Sequence, residues 1–397
     1  MNRRELLGSL AVSIWAPTAR PGTGSSPESS RHTIDAFEVF RVKVNERGDW
    51  VLLRTRTSTG LTGLGDCSQS GDDRRTLDLL DQYRPQLKGR DIFAIEALRQ
   101  WSQPLIAQHG RPAAVALSAV EQSLWDLQGQ VLGVPTYQLF GGKLRDRIRQ
   151  YANINRMTTD RTPSGFARSA EQALAAGFDA VKMAPFDGLV PKPVDQRSHQ
   201  IRLAIECGQA VRRVLGPSRD LLFDVHSLLT VQEGLDVLRE MEALNLYWLE
   251  EVTAAEPLDA LATIHRATKL TTAGGEAIYG IRNFYRYAAA GVVDVLMPDV
   301  KWCGGLLELR KIAAMAEGMD LRVSPHGPAS PVGNIAASHL CAALPNFEIN
   351  EFAFGEVPWR ADVTEPPEHF ENGRLTVSEQ PGFGIRLNEK IIRQFQR

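Results

Sequence analysis

Apolar residues alternate with polar ones near the start of the chain. Ile34, Phe37, Val39, Val42 and Val44 lie in one extended stretch and Trp50 to Thr57 in another. The residues between them, Asn45 to Asp49, favour turns, so this region, which alternates from Thr33 to about Asp66, is predicted to form an antiparallel hairpin. From Asp73 to Gly129 the period lengthens. Leu77, Leu80 and Tyr83, then Val115, Leu117, Val120, Leu124 and Leu127, recur at helical spacing. Strands followed by helices, without alternation, describe a small α+β unit. After Gly141 and Gly142 the rhythm changes again. Short apolar runs stand at 148–153, 178–183, 220–225, 246–250, 271–275, 293–298, 321–325 and 347–350, most of them separated by helical segments such as Ala167–Ala176 or Leu306–Ala316. Such alternation predicts a parallel barrel, in which residues at the C-terminal ends of the strands carry the chemistry.

Composition narrows the class of partner. The 397 residues are 43% hydrophobic and 23% charged with a formal net charge of -2, as expected of a globular protein. No basic block is present to pair with phosphates, which argues against nucleic acid, and nothing invokes a membrane surface. Cys67, Cys207, Cys303 and Cys341 are far apart and form no metal-binding pair, so reduced, buried thiols are expected. Asn2, Arg3, Arg4 and Glu5 precede an apolar run to Trp15 and then Ala16, Pro17, Thr18 and Ala19. This reads as a twin-arginine export leader, implying a periplasmic protein; the alternative is a disordered tail on a cytoplasmic one. The run is too short to span a membrane. In either case residues 1–31 stand outside the fold.

Several predicted strands end in a carboxylate. The third closes Leu222-Phe223-Asp224-Val225-His226, the fourth Trp248-Leu249-Glu250-Glu251, and the fifth Ala273-Gly274-Gly275-Glu276. Asp224, Glu250 and Glu276 are equally spaced, each interval matching one strand–helix repeat. Three acids converging on a barrel mouth would repel each other unless a cation neutralised them, and all-oxygen ligands favour magnesium over zinc. Glu250 is preferred to Glu251 on this spacing.

The chain resembles the mandelate racemase subgroup of the enolase superfamily, and in particular its acid-sugar dehydratases of the galactonate and mannonate type. The likeness runs from about Ile34 to Ile392. It rests on Ser123-Leu124-Trp125-Asp126-Leu127-Gln128-Gly129, Gln138-Leu139-Phe140-Gly141-Gly142-Lys143, Pro298-Asp299 with Gly304-Gly305, Ser324-Pro325-His326, and Pro381-Gly382-Phe383-Gly384. The resemblance implies a modified TIM barrel, (β/α)7β, with an N-terminal α+β capping domain. Expected boundaries are 32–145 for the capping domain, 146–355 for the barrel and 356–397 for a segment that replaces the eighth helix and returns to the capping domain. It also implies that Asp224, Glu250 and Glu276 are the metal ligands.

Proton-transfer groups are sought at the remaining strand ends. Strand six offers Asp299 and strand seven His326, one repeat later; a histidine held by a carboxylate suits a general base near neutral pH. In the resembled subgroup the matching pair forms the base dyad. His226, two residues after Asp224, is expected on the same side of the strand. In the resembled dehydratases this histidine protonates the departing hydroxyl. Strand two ends Val181-Lys182-Met183-Ala184, where many relatives carry Lys-x-Lys; Ala184 removes the second lysine and with it one base of a two-base racemisation. Lys182 is left to contact the substrate carboxylate. Lys301 is rejected as a base because the catalytic lysine of the muconate-lactonising subgroup corresponds in position to Asp299. From strand eight, Glu351 is preferred to Glu348, and the resemblance implies that it hydrogen-bonds a substrate carboxylate oxygen.

The expected reaction is removal of the C2 proton from an aldonate-type sugar acid by His326, with loss of the C3 hydroxyl assisted by His226, giving a 2-keto-3-deoxy acid. A racemase or epimerase using His326 with Lys182 or His226 is the alternative within enzymes, and a binding protein on the same barrel stands third. The loops near Lys43–Trp50 and Cys67–Arg74 are expected to close over the site, with Gln69, Asp72, Asp73 and Arg74 available to hydroxyls and Pro185-Phe186-Asp187 shaping the pocket. A homo-oligomer is expected.

Overall fold

The computed structural model describes residues 32–46, 48–69, 71–189 and 194–397. The expected leader lies outside them, as do Arg47 and Ser70 in the two capping loops.

The first three strands, β1 (Ile34–Asn45), β2 (Gly48–Thr57) and β3 (Thr62–Asp66), form an antiparallel sheet. The alternation pattern predicts only the first two as a hairpin. The third escapes it because Gly63 and Gly65 leave no side-chain pattern to read. Their bareness has a packing cause: a Cβ on Gly65 would stand 2.0 Å from the carbonyl oxygen of Ala119. The sheet thus presses backbone to backbone on a helix. That helix, α3 (Arg111–Leu132), follows α1 (Asp73–Leu87) and α2 (Ile95–His109), and its residues from Ala113 to Gly129 are all buried.

Eight short parallel strands follow: β4 (Arg147–Asn153), β5 (Ala180–Met183), β6 (Asp220–Asp224), β7 (Trp248–Glu250), β8 (Thr272–Gly274), β9 (Val295–Leu296), β10 (Arg322–Val323) and β11 (Asn350–Ala353). Each pairs with the next in order from β4 to β10, and β11 pairs with β4. A parallel bridge between Val323 and Phe347 spans the remaining gap. The eighth strand lies later than its apolar run suggests, because Glu351, which faces inward, and Asn350, which faces outward and donates to Asn334, are polar yet buried.

Register divides the strand side chains between two cores. Val181, Met183, Leu221, Phe223 and Leu249 face the surrounding helices, where they pack with Phe166, Val211 and Met241. Tyr151, Leu222, Trp248, Ala273, Val295 and Met297 fill the interior. Leu222 pairs with Trp248, so two residues later Asp224 pairs with Glu250, in the same inward layer at the C-terminal end.

The C-terminal segment touches both parts of the molecule. The hairpin Phe370–Glu371/Arg374–Thr376 adds antiparallel to the first half of β4, whereas the helix Glu389–Phe395 lies by β1, with Gln396 bridging to Val42. Between them, Phe383 N donates to Asp126 Oδ1 at 2.8 Å. A Cβ on Gly382 would stand 2.2 Å from that same oxygen. Two of the motifs quoted above therefore meet in space.

Candidate active site

Asp224, Glu250 and Glu276 each offer an oxygen within 4.8 Å of the other two. Asp224 and Glu250 are neighbours in register and wholly buried. Glu276 follows β8 by two residues, beyond Gly275 in a left-handed turn (φ 104). Glu251 turns aside, accepting from Ser227 Oγ and Gly275 N, both at 3.3 Å. Its own φ of 43 marks where the chain leaves the strand. Burial and the nearby Glu276 push its carboxyl up to about 7.

The cluster is short of positive charge. Lys182 Nζ lies 2.6 Å from Glu250 Oε1, 3.1 Å from Asp224 Oδ2 and 3.7 Å from Glu351 Oε1, and is itself buried. Burial opposes its charge, but the surrounding carboxylates hold it well above the ordinary lysine range. One ammonium does not suffice: burial and Asp224 still push the Glu250 carboxyl up, although Lys182 pulls it down. Asp224 Oδ2 has Lys182 and His226 within 3.1 Å but is aligned with neither as a hydrogen bond. An acidic triad so placed could hold a metal ion.

Two imidazoles approach the triad, and each is gripped from behind by another carboxylate. His326 Nδ1 is 2.8 Å from Asp299 Oδ2, while its Nε2 lies 3.2 Å from Glu276 Oε2. Burial disfavours the imidazolium, but Glu276, Glu351 and Asp299 together raise its pKa. His226 repeats the arrangement at Asp224, with Nδ1 2.6 Å from Asp187 Oδ1 and Nε2 3.1 Å from Asp224 Oδ2. Here too burial opposes the charge, and Asp224 and Asp187 override it to about 12. The expected strand alternation does not put His226 there. It lies past the end of β6 with φ 50, and Ser227 follows at φ 59. This left-handed turn, which costs energy for non-glycine residues, carries the ring back to Asp224.

Glu351 Oε1 accepts from Asn153 Nδ2 at 2.5 Å and Oε2 from Gly327 N at 2.9 Å. Burial raises its carboxyl, but Lys182 and His326 bring it down to about 2, so it stands ionised. Glu348 instead points to Arg322, at 3.2 Å, and to the Tyr247 hydroxyl, away from the triad. Lys301, rejected as a base, is fully buried with its Nζ 3.0 Å from Asp299 Oδ2. It thus stands behind the His326–Asp299 pair.

A cavity of about 480 Å³ opens over these groups. Lys182, His226, Glu276 and His326 line its floor; Gln69, Asp73 and Arg74 line it from the capping side. Asp72 instead caps α1, its Oδ1 accepting from Arg75 N at 2.9 Å. Sequence reasoning marked Asp187 only as part of a pocket-shaping segment; its place directly after β5, where barrel chemistry gathers, was the available signal. Trp302, Arg111 and Arg156, which also line the cavity, gave none.

Residues 165–391 match the family described as enolase C-terminal domain-like, and residues 36–141 match the N-terminal domain of mandelate racemase/muconate lactonizing enzymes. A D-galactonate dehydratase family member of Streptomyces bingchenggensis is 31% identical over 387 residues, covering 92% of this chain and 94% of the relative. The D-galactonate dehydratase of Verminephrobacter eiseniae is 31% identical over 357 residues, covering 88% and 91%. Among solved structures, the mandelate racemase/muconate lactonizing enzyme-like protein of Rubrobacter xylanophilus superposes with a TM-score of 0.84 at 30% identity, over 93% of this chain and 98% of that one.

Proposed function

The chain belongs to the mandelate racemase/muconate lactonizing enzyme family of the enolase superfamily, and on that premise we propose that it is a magnesium-dependent hydro-lyase that dehydrates a sugar acid. The observation that carries the reading is the pair of imidazoles, each held at Nδ1 by an outer carboxylate and each turning Nε2 toward the acidic triad. Dehydration needs a base for the C2 proton and an acid for the departing C3 hydroxyl, and two such groups on different sides of one anchoring point meet that need. Relatives named as a D-galactonate dehydratase and as a member of the D-galactonate dehydratase family support the class of substrate.

The donor set fits a hard cation: three carboxylates, an oxygen of Asp224 without an aligned partner, and a charge balance that Lys182 alone leaves negative. Magnesium held by Asp224, Glu250 and Glu276 would supply the positive charge that makes a proton beside a carboxylate removable. His326 takes that proton at Nε2, since Asp299 occupies Nδ1 and fixes the tautomer. His226, held at Nδ1 by Asp187, gives the proton on Nε2 to the C3 hydroxyl as it leaves. Lys182 lies close enough to the triad to meet the substrate carboxylate. Glu351, ionised and accepting two hydrogen bonds, orients Asn153 and the Gly327 amide; it becomes a donor to the enediolate only if it acquires a proton.

Racemisation through Lys182 is disfavoured because that ammonium is locked among carboxylates and Ala184 leaves strand two without a second lysine. Turnover of a sugar-acid library with magnesium in deuterium oxide tests the reading. It predicts keto acid in the wild type. In H226Q, deuterium should still enter C2 while keto acid falls by about 100-fold or more. Recovery of C2 epimer without keto acid would establish the epimerase instead.

A further inference from the structure

The capping side of the cavity carries positive charge that the barrel does not consume. Four arginines line the cavity, Arg41, Arg74 and Arg111 from the capping side and Arg156 from the loop after β4. Two are neutralised within the protein, Arg41 by Asp49 at 2.7 Å and Asp73 at 3.8 Å, and Arg156 by Glu356 at 2.9 Å. Arg74 and Arg111 have no carboxylate within ion-pair distance among the described residues. Arg111 opens α3, whose first turn holds no acidic residue, and its guanidinium lies 4.1 Å from the ring centre of Trp302. Trp302 lies 5.0 Å from the His326 ring, so Arg111 stands one indole away from the base.

Two further groups lining the cavity lack partners among the described residues. Among the described residues the indole N–H of Trp302, a residue only 8% exposed, has no acceptor, and Gln69 Oε1 has no donor. Buried groups of this kind are normally satisfied, so a ligand filling this end would bring both an acceptor and a hydroxyl. A guanidinium stacked on an aromatic face keeps its N–H edge free, and that edge matches the paired oxygens of a carboxylate or phosphate. A neutral hydroxymethyl terminus would leave the half-buried Arg111 guanidinium unmatched.

We propose that the substrate is dianionic: a sugar acid whose remote end bears a second carboxylate or a phosphate, received by Arg111 and Arg74 beside Trp302. This rests on the dehydratase reading and departs from the aldonate expected from the sequence.

The test compares aldonates, configurationally matched aldarates and terminally phosphorylated aldonates with the magnesium-loaded protein. Keto-acid formation and calorimetric binding are both read. The proposal expects one dianionic series to exceed its matched aldonates in kcat/KM by about ten- to hundredfold, the range of one charge-assisted hydrogen bond. R111Q should erase most of that preference, by lowering the dianionic substrate's value far more than the aldonate's. R74Q, at an exposed position, should reduce it. Which dianionic series responds identifies carboxylate or phosphate. Aldonates used as well as their dianionic counterparts, or a preference that survives R111Q and R74Q, overturn the proposal. If no series yields keto acid or C2 exchange, the dehydratase reading falls. Calorimetry still decides the present inference, which is then lost if the dianionic acids bind no tighter than the aldonates.

Discussion

Replacing Lys182 with methionine would remove the ammonium between Asp224, Glu250 and Glu351 while nearly conserving volume. All four side chains are at most 2% exposed, so water cannot take over the lost contacts at 2.6 and 3.1 Å. Removing one partner of a buried ion pair typically costs about 3–5 kcal/mol, and the near-isosteric stem keeps any cavity contribution small. In chelator, K182M is therefore expected to unfold in urea with a stability about 3–5 kcal/mol below wild type. Magnesium should narrow that gap. A ligand at 100 times its Kd stabilises the folded state by about 2.7 kcal/mol, and K182M, with no lysine competing for the carboxylates, should bind the ion more tightly and gain more than wild type. Urea unfolding in chelator and in excess magnesium, with calorimetric titration of the ion, reads both effects. A chelator gap below about 1 kcal/mol, the scale of an ordinary hydrogen bond, would refute the charge argument. An equal magnesium shift in both proteins would show that Lys182 and the ion do not share ligands.

The other expectations probe separate parts of the molecule. D299N should lower kcat by about 100- to 10,000-fold with KM little changed, because the amide no longer enforces the His326 tautomer; steady-state kinetics with near-wild-type kcat would sink this. G305A should destabilise by about 2–5 kcal/mol, since a Cβ would stand 2.4 Å from Glu121 Oε2 at a residue with φ 100. A wild-type urea midpoint would contradict it. His339 is buried against Tyr137 and Phe383, and burial pulls its pKa down to about 4. The unfolded chain then binds the proton more readily, so this group's stabilising contribution is complete above its ordinary 6.5 and is lost as pH falls toward 4, by up to about 3 kcal/mol. H339Q should lack that part of the slope, and parallel wild-type and variant stability curves between pH 4 and 6.5 would rule it out.

Local pattern alone was enough to find the small α+β unit, the order of strands and helices after Gly142, and the regular recurrence of Asp224, Glu250 and Glu276. These features were legible because a barrel repeats one supersecondary unit, and repetition leaves a period in the chain. Family resemblance added the meaning of motifs such as Gly304-Gly305, though not its cause, which is the Glu121 carboxylate accepting from Leu306 N and Leu307 N at 2.8 Å. Where a strand is glycine, as in β3, or polar yet buried, as in β11, hydrophobicity carried no signal.

Tertiary structure alone decided how the acids are used. Glu250 faces inward while Glu251, itself left-handed at the strand's end, turns aside to Ser227 and Gly275, and His226 returns to Asp224 by a similar turn that alternation does not anticipate. Arg111 and Trp302 join the cavity from distant segments whose sequences advertise nothing, and Asp187 reaches His226 from the turn after β5. Secondary structure follows from neighbours along the chain, but a site's charge balance depends on side chains brought together across it. Burial then sets how strongly those charges act on one another, and burial is a property of the packed fold.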